Sequence, residues 1–184
     1  MRKSLWFVAA AALVAGCKSE STQKQAPAKA AAPIAVAPAK IGALEKVVTD
    51  GNLYFGAQPS ADDLRAAKAL GITTIVNLRP RGEWPYDEAA AARELGLRLV
   101  EIPVTPATLS ANDAAKLRDA LGTADGKVLI HCGSGNRVGG LWALHKRLHD
   151  GVEIDAAIAE GKAVGLSAAP LEARVRDLAS KPAK

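Results

Sequence analysis

The chain has 184 residues, 49% hydrophobic but only 4% aromatic, with two cysteines; that length and composition suit one domain with tails. Its formal net charge of +5 lies outside the foldable part, since Val47 to Ser180 holds 15 Lys+Arg against 17 Asp+Glu. A basic body able to grip a nucleic-acid backbone is therefore excluded, and no nucleic-acid partner is expected.

Arg2 and Lys3 precede an apolar run, Leu5–Ala15, too short to cross a bilayer as a helix. The run ends in Val14-Ala15-Gly16-Cys17, which resembles the bacterial lipoprotein signal. The resemblance implies that residues 1–16 are a removed signal peptide and that Cys17 carries lipid. The domain would then be exported and membrane-anchored, facing the periplasm, and Lys18 favours the outer membrane. Residues 17–46 read as the lipidated cysteine and a tether, because Lys18–Gly42 is mostly Ala, Pro, Lys, Ser and Gln. Such a segment buries too little surface to offset the entropy of ordering it. A domain over residues 47–180 and a tail over 181–184 follow.

Within the domain, extended and helical signals alternate. Leu53-Tyr54-Phe55 predicts a short strand, and Gly56-Ala57-Gln58-Pro59 a turn. Ser60 caps a helix through Leu70, with Asp62 and Asp63 in its first turn and Gly71 at its end. Thr73–Leu78 is β-branched and apolar, a buried strand. The loop Arg79–Tyr86 leads to a helix through Leu95, closed by Gly96. Arg98–Val104 predicts a strand, and Ser110 with Asp113 starts a helix to Leu121. Lys127–His131 is the next strand, followed by a Gly-rich loop and helical segments over Leu141–Leu148, Val152–Val164 and Ala169–Ala179. This alternation predicts an α/β fold: a single domain whose central, mostly parallel sheet is flanked by helices on both faces.

Chemistry concentrates in His131-Cys132-Gly133-Ser134-Gly135-Asn136-Arg137-Val138. An apolar strand delivers Cys132 to its carboxyl end, where open α/β sheets place their sites. Glycines let successive amides converge, and a helix starting just after adds its positive end, so the loop can cradle a tetrahedral oxyanion. A thiol held over a helix N-terminus beside a guanidinium ionises more readily than a free one. Arg137 offers a planar fork for two oxygens of the anion. If Cys17 carries lipid, Cys132 has no disulfide partner, which favours use of its thiol over a staple. His131 is placed to support the loop.

His131-Cys132 with Gly135 and Arg137 resembles the cysteine-dependent, dual-specificity-type protein tyrosine phosphatases. With the flanks Gly56-Ala57-Gln58-Pro59-Ser60, Thr74-Ile75-Val76-Asn77-Leu78-Arg79-Pro80, Ile102-Pro103-Val104 and Leu141-Trp142-Ala143-Leu144, it resembles the bacterial phosphatase-like domain of β-lactamase-hydrolase-like proteins. The resemblance runs from about Leu53 to Leu178. It implies attack by Cys132 on phosphorus, with Arg137 and the amides of Gly133, Ser134, Gly135 and Asn136 holding the oxygens. Water then releases phosphate from the phosphoenzyme. The partner would be a small-molecule or protein phosphate ester; no cofactor and no metal are expected.

Other readings stay open. Only four residues separate Cys132 from Arg137, a spacing similar to rhodanese-type sulfurtransferases, whose cysteine carries a persulfide; thiosulfate or a persulfide would then be the substrate. Val138 stands where a Ser or Thr usually follows the arginine, and no Asp lies near Thr105, which suits a catalytically weak anion-binding module. The candidate general acid is Asp87, with Glu83 beside it, in Glu83-Trp84-Pro85-Tyr86-Asp87. The same acids, Asp87 and Glu88, also favour a helix start. Arg79 is placed either at the pocket mouth or in a surface ion pair. His145 and His149 read as a solvated helix face, and Trp142 as core.

Overall fold

The computed structural model describes residues 34–180. Six strands, β1 (Ala37–Ile41), β2 (Leu44–Asp50), β3 (Leu53–Gly56), β4 (Ile72–Asn77), β5 (Arg98–Glu101) and β6 (Lys127–His131), form one sheet ordered β1-β2-β3-β6-β4-β5. The β3-β6-β4-β5 half is parallel, and β1 and β2 add antiparallel to its β3 edge. Six helices accompany it: α1 (Ala61–Ala69), α2 (Glu88–Glu94), α3 (Ala111–Gly122), α4 (Asn136–His149), α5 (Ile154–Ala163) and α6 (Ala169–Ala179). The expected single α/β domain is what the chain forms.

The strands alternate between two cores. Phe55, Val76 and Ile130 join Leu117, Leu141, Ile158 and Val175 on one side, while Tyr54, Ile75 and Leu129 join Leu64, Ala67 and Ala92 on the other. Two faces buried by successive residues explain why Ile75-Val76 in β4 and Val128-Leu129-Ile130 in β6 are apolar in succession. Trp142 is core, as expected, and meets Phe55 edge-on with ring centroids 5.0 Å apart. The predicted Ser60 cap and the predicted Ser110–Asp113 capping box both form, and Ser60 adds a reciprocal box with Asp63. The strand expected over Arg98–Val104 ends at Glu101, yet Ile102 and Val104 still donate to Asn77 and Leu78 carbonyls. Their backbone bonds continue past the regular strand.

Two expectations need correction. The predicted tether does not reach Gly42 and the domain does not begin at residue 47: the hairpin of β1 and β2 extends the sheet, with Ile41 and Val47 buried. An edge strand tolerates Pro38 because its N–H side need not pair, and small residues become a strand only through their neighbours. His145 is also buried rather than on a solvated face, packed against Trp142. Burial lowers its pKa against an opposing pull from Asp150. Cys17, the signal segment and residues 181–184 lie outside the described residues. Among the described residues, no helix is long and apolar enough to cross a membrane.

Candidate active site

The sheet's parallel half brings the ends of β3, β4 and β6 level, with Gly56 opposite His131 and Asn77 opposite it on the other side. Cys132 is the first residue beyond β6. The backbone then turns at Gly135, whose φ of 86° is left-handed, a conformation that costs glycine least. Gly135 caps α4, so the helix starts at Asn136, five residues earlier than the sequence suggested, and Arg137 lies in its first turn.

This geometry closes the loop on the sulfur. Gly135 N–H donates to Cys132 Sγ at 3.2 Å. Cys132 is only 1% exposed, and Val138 behind it is buried in the core. The Arg137 guanidinium folds back over the loop, its Nη2 3.5 Å from where a Cβ on Gly133 would sit. Burial works against the arginine's charge. Hydrogen bonding to Glu83 and interaction with the Cys132 sulfur outweigh that, and its pKa is raised. Arg137 Nη1 also donates to the Val104 carbonyl at 3.2 Å, which fixes the guanidinium between two loops. One loop amide donating to the sulfur, the N-terminus of α4 just after it and a fixed guanidinium are the parts from which a seat for an oxyanion is built.

Of the expected oxyanion-holding residues, Asn136 has its side chain engaged elsewhere. Its Oδ1 accepts from the amides of Ser167 and Ala168 at 2.8 and 3.0 Å, tying the α5–α6 connection to the loop. Its contribution to an anion is therefore limited to its backbone. Gly133 and Ser134 stand exposed at the rim.

The acid brought to the arginine is Glu83, in a short 3₁₀ turn over Arg81–Glu83. Its Oε2 accepts from Arg137 Nη2 at 2.6 Å, and hydrogen bonding to Arg137 holds its carboxyl below the usual range, against a smaller opposing effect of burial. Asp87 caps α2, accepting from the Ala90 N–H at 2.9 Å, and is exposed. An N-cap carboxylate is held by the helix it starts, and the loop between is pinned. Trp84 Nε1 donates to the Arg79 carbonyl at 3.0 Å and the Tyr86 hydroxyl to that of Pro59 at 3.1 Å.

Beneath the loop lies a polar cluster that sequence reasoning missed. Glu88 and His131 are both fully buried, with Glu88 Oε1 2.7 Å from His131 Nε2. The other oxygen of Glu88 accepts from Gln58 Nε2 at 2.8 Å and Asn77 Nδ2 at 3.1 Å. Asn77 and Gln58 in turn accept from the Arg79 amide and Arg79 Nη1 at 2.8 and 2.7 Å. Arg79 thus belongs to the site's support, with Glu83 3.5 Å from its Nε. His131 makes no side-chain hydrogen bond to the loop backbone: its Nε2 meets Glu88 and its Nδ1 has no partner among the described residues. The available signal was spacing: Glu88, Ala92 and Leu95 share the inward stripe of α2, and a carboxylate there demands buried donors.

Over residues 45–149 the chain matches the family described as the phosphatase-like domain of β-lactamase hydrolase-like protein. It is 35% identical over 119 residues to the β-lactamase hydrolase-like protein of Xylella fastidiosa (strain Temecula1), a stretch covering 62% of this chain and 28% of that protein. The chain thus spans under a third of this curated relative. Its fold is similar to a phosphatase-like protein of Neisseria meningitidis z2491 at TM-score 0.60 and 27% identity, covering 76% of this chain and 99% of the other. It is also similar to P. aeruginosa TpbA in complex with pTyr, at TM-score 0.63 and 18% identity, covering 80% and 90%.

Proposed function

Since the chain belongs to the phosphatase-like domain family of β-lactamase hydrolase-like proteins, we propose that it hydrolyses phosphate monoesters through a phosphoenzyme on Cys132, with Arg137 holding the phosphoryl oxygens and Glu83 moving the proton. The observation that carries this reading is the sulfur of Cys132 receiving the Gly135 amide at the floor of the loop that Arg137 closes.

The steps follow from the contacts. The substrate's phosphate displaces Glu83 from the guanidinium and takes both of its donors, an arrangement a planar fork favours. The sulfur attacks phosphorus in line, an S–P bond forms and the P–O bond to the leaving group breaks. Loop amides and Arg137 stabilise the charge spread over the three equatorial oxygens. Released from Arg137 and facing a phosphate dianion, Glu83 has more reason to hold a proton, which it gives to the leaving oxygen. Its carboxylate then takes a proton from the water that attacks phosphorus, the S–P bond breaks and phosphate departs. Val138 puts no hydroxyl beside the sulfur, so that water is activated without one.

The experiment is direct. The chain should release phosphate from an aryl phosphate, be inhibited by vanadate and lose turnover in Cys132→Ser. No phosphate release, with thiocyanate formed from thiosulfate and cyanide, would overturn the reading in favour of sulfur transfer. For location, Arg2, Lys3, the apolar run and Cys17 support lipid anchorage facing the periplasm; radiolabelled fatty acid should enter the chain and fail to enter Cys17→Ser.

A further inference from the structure

The β1–β2 hairpin does more than widen the sheet. Between the pairs Ala39↔Val47 and Ile41↔Leu44, one residue on β1 faces two on β2, a bulge at Glu45–Lys46. Lys46 has φ 56°, the single positive value at a non-glycine position among the described residues. Bulges re-aim side chains and gather beside active sites, and strained backbone persists where surrounding structure imposes it.

The register shows where the bulge puts Lys46. Val48 pairs with Phe55 and Gly56 pairs with His131, so Lys46 stands beyond the carboxyl end of β3, on the edge of the sheet that carries Cys132. Two strand spacings separate β2 from β6, so Lys46 lies about 10 Å from the catalytic loop across the sheet. There it lines a groove of about 370 Å³ with Ser134 and Gly135 of that loop, Lys162 at the end of α5, and Gly165 and Ser167 beyond it. The groove's far wall is held against the loop: a Cβ on Gly165 would come within 2.8 Å of the Gly135 carbonyl.

Charge in the groove is positive. Lys162 is shared with Glu172 at 2.9 Å, the acidic group that faces it. Lys46 makes no ion pair or side-chain hydrogen bond among the described residues, and the Ser134 and Ser167 hydroxyls have no partner there either. An ammonium without a counter-charge, two free hydroxyls and a half-neutralised second ammonium form a receptor for an oxyanion.

We propose that this groove is a second anion subsite, and that the preferred substrates are phosphate monoesters whose leaving group carries another oxyanion, carboxylate or phosphate, about 10 Å from the reacting phosphorus. This rests on the phosphatase reading for the position of the first phosphate, with Lys46 as the residue that sets specificity.

The test uses the full chain carrying Cys132→Ser and calorimetric binding of three aryl phosphates of matched length. One ends in a carboxylate, one in a second phosphate and one in a neutral amide. The anionic probes should bind about three- to five-fold tighter than the amide, the gain from an exposed charge pair. Lys46→Asn, which tolerates the left-handed backbone, should erase that advantage and leave amide binding unchanged, and added salt should shrink it. A gain for the phosphate alone or the carboxylate alone identifies the second oxyanion. Equal binding of all three probes, or an advantage that survives Lys46→Asn, would overturn the subsite while sparing the phosphatase reading. Failure of all three to bind would sink both.

Discussion

Glu83 and Glu88 serve the same loop from within five residues of each other, and burial makes them different kinds of group. Glu88 has no exposure, and His131, Gln58 and Asn77 converge on its two oxygens. Glu83 keeps 39% of its side chain exposed and relies on Arg137, with Arg79 further off. A buried carboxylate cannot trade its partners for water, so its donors become fixtures of the fold. An exposed carboxylate holds its arginine by a modest, screened attraction, which an incoming phosphate can replace. One acid therefore builds the site and the other can take part in exchange.

Arg137→Lys strikes the group that both Glu83 and the phosphate need. A lysine supplies a point charge instead of a fork, and kcat/KM should fall by about 10² to 10³, the cost of losing a transition-state donor. Steady-state kinetics on an aryl phosphate measure it; a wild-type rate would remove the arginine from the mechanism. Next in size is Glu88→Ala, which leaves His131 and Asn77 buried without their partner and removes one acceptor from half-buried Gln58. At about 1–3 kcal/mol for a buried group left unpaired, a loss of about 3 kcal/mol or more is expected in urea unfolding. A loss under about 1 kcal/mol would mean that the pocket floods easily and that the contrast with Glu83 is false.

Glu83→Gln should separate exchange from structure. Stability should move by less than about 1 kcal/mol, and inorganic phosphate should bind a few-fold tighter because its competitor is gone. Turnover of an alkyl phosphate, a poor leaving group, should drop by about 10², and that of p-nitrophenyl phosphate by less, because there only the attack of water loses its base. The pH dependence has a definite sign. The folded carboxyl titrates below its ordinary 4.5, so its stabilising contribution is present above that value and is lost as pH falls through the lower folded one. The stability difference between wild type and Glu83→Gln should therefore close as pH is lowered below 4.5. A difference that widens there would contradict the ion pair.

The same contrast explains how much of the molecule was legible in sequence. β4 and β6 announced themselves because strands buried on both faces are rich in β-branched and apolar residues in succession, and Ser60 and Ser110 because capping chemistry is local. Cys132 and Arg137 were readable because a thiol, glycines and an arginine within six residues form their own nest. Glu88 was not, since its meaning depends on Gln58, Asn77 and His131 arriving from three strand ends. β1 was also hidden: Ala37, Pro38 and Ala39 have no strand signal of their own, and they pair only because β2 continues the edge that β3 leaves open.

Asp87 carries the smallest effect and the cleanest separation of local from catalytic roles. Read in sequence, it and Glu83 are interchangeable acids flanking Trp84-Pro85-Tyr86. In the fold, the Asp87 carboxylate is held by the Ala90 amide, at the one end of α2 where negative charge meets unpaired N–H groups. Asp87→Ala should therefore lower stability by about 1 kcal/mol, the usual cost of losing an N-cap. Asp87→Asn should restore most of it, because an amide oxygen caps nearly as well. Turnover of the alkyl phosphate should stay within about twofold of wild type in both variants, far from the loss expected of a general acid. If Asp87→Asn instead cost about 10² in alkyl phosphate turnover without affecting p-nitrophenyl phosphate, the proton would come from Asp87, and the pairing of Glu83 with Arg137 would be structural only.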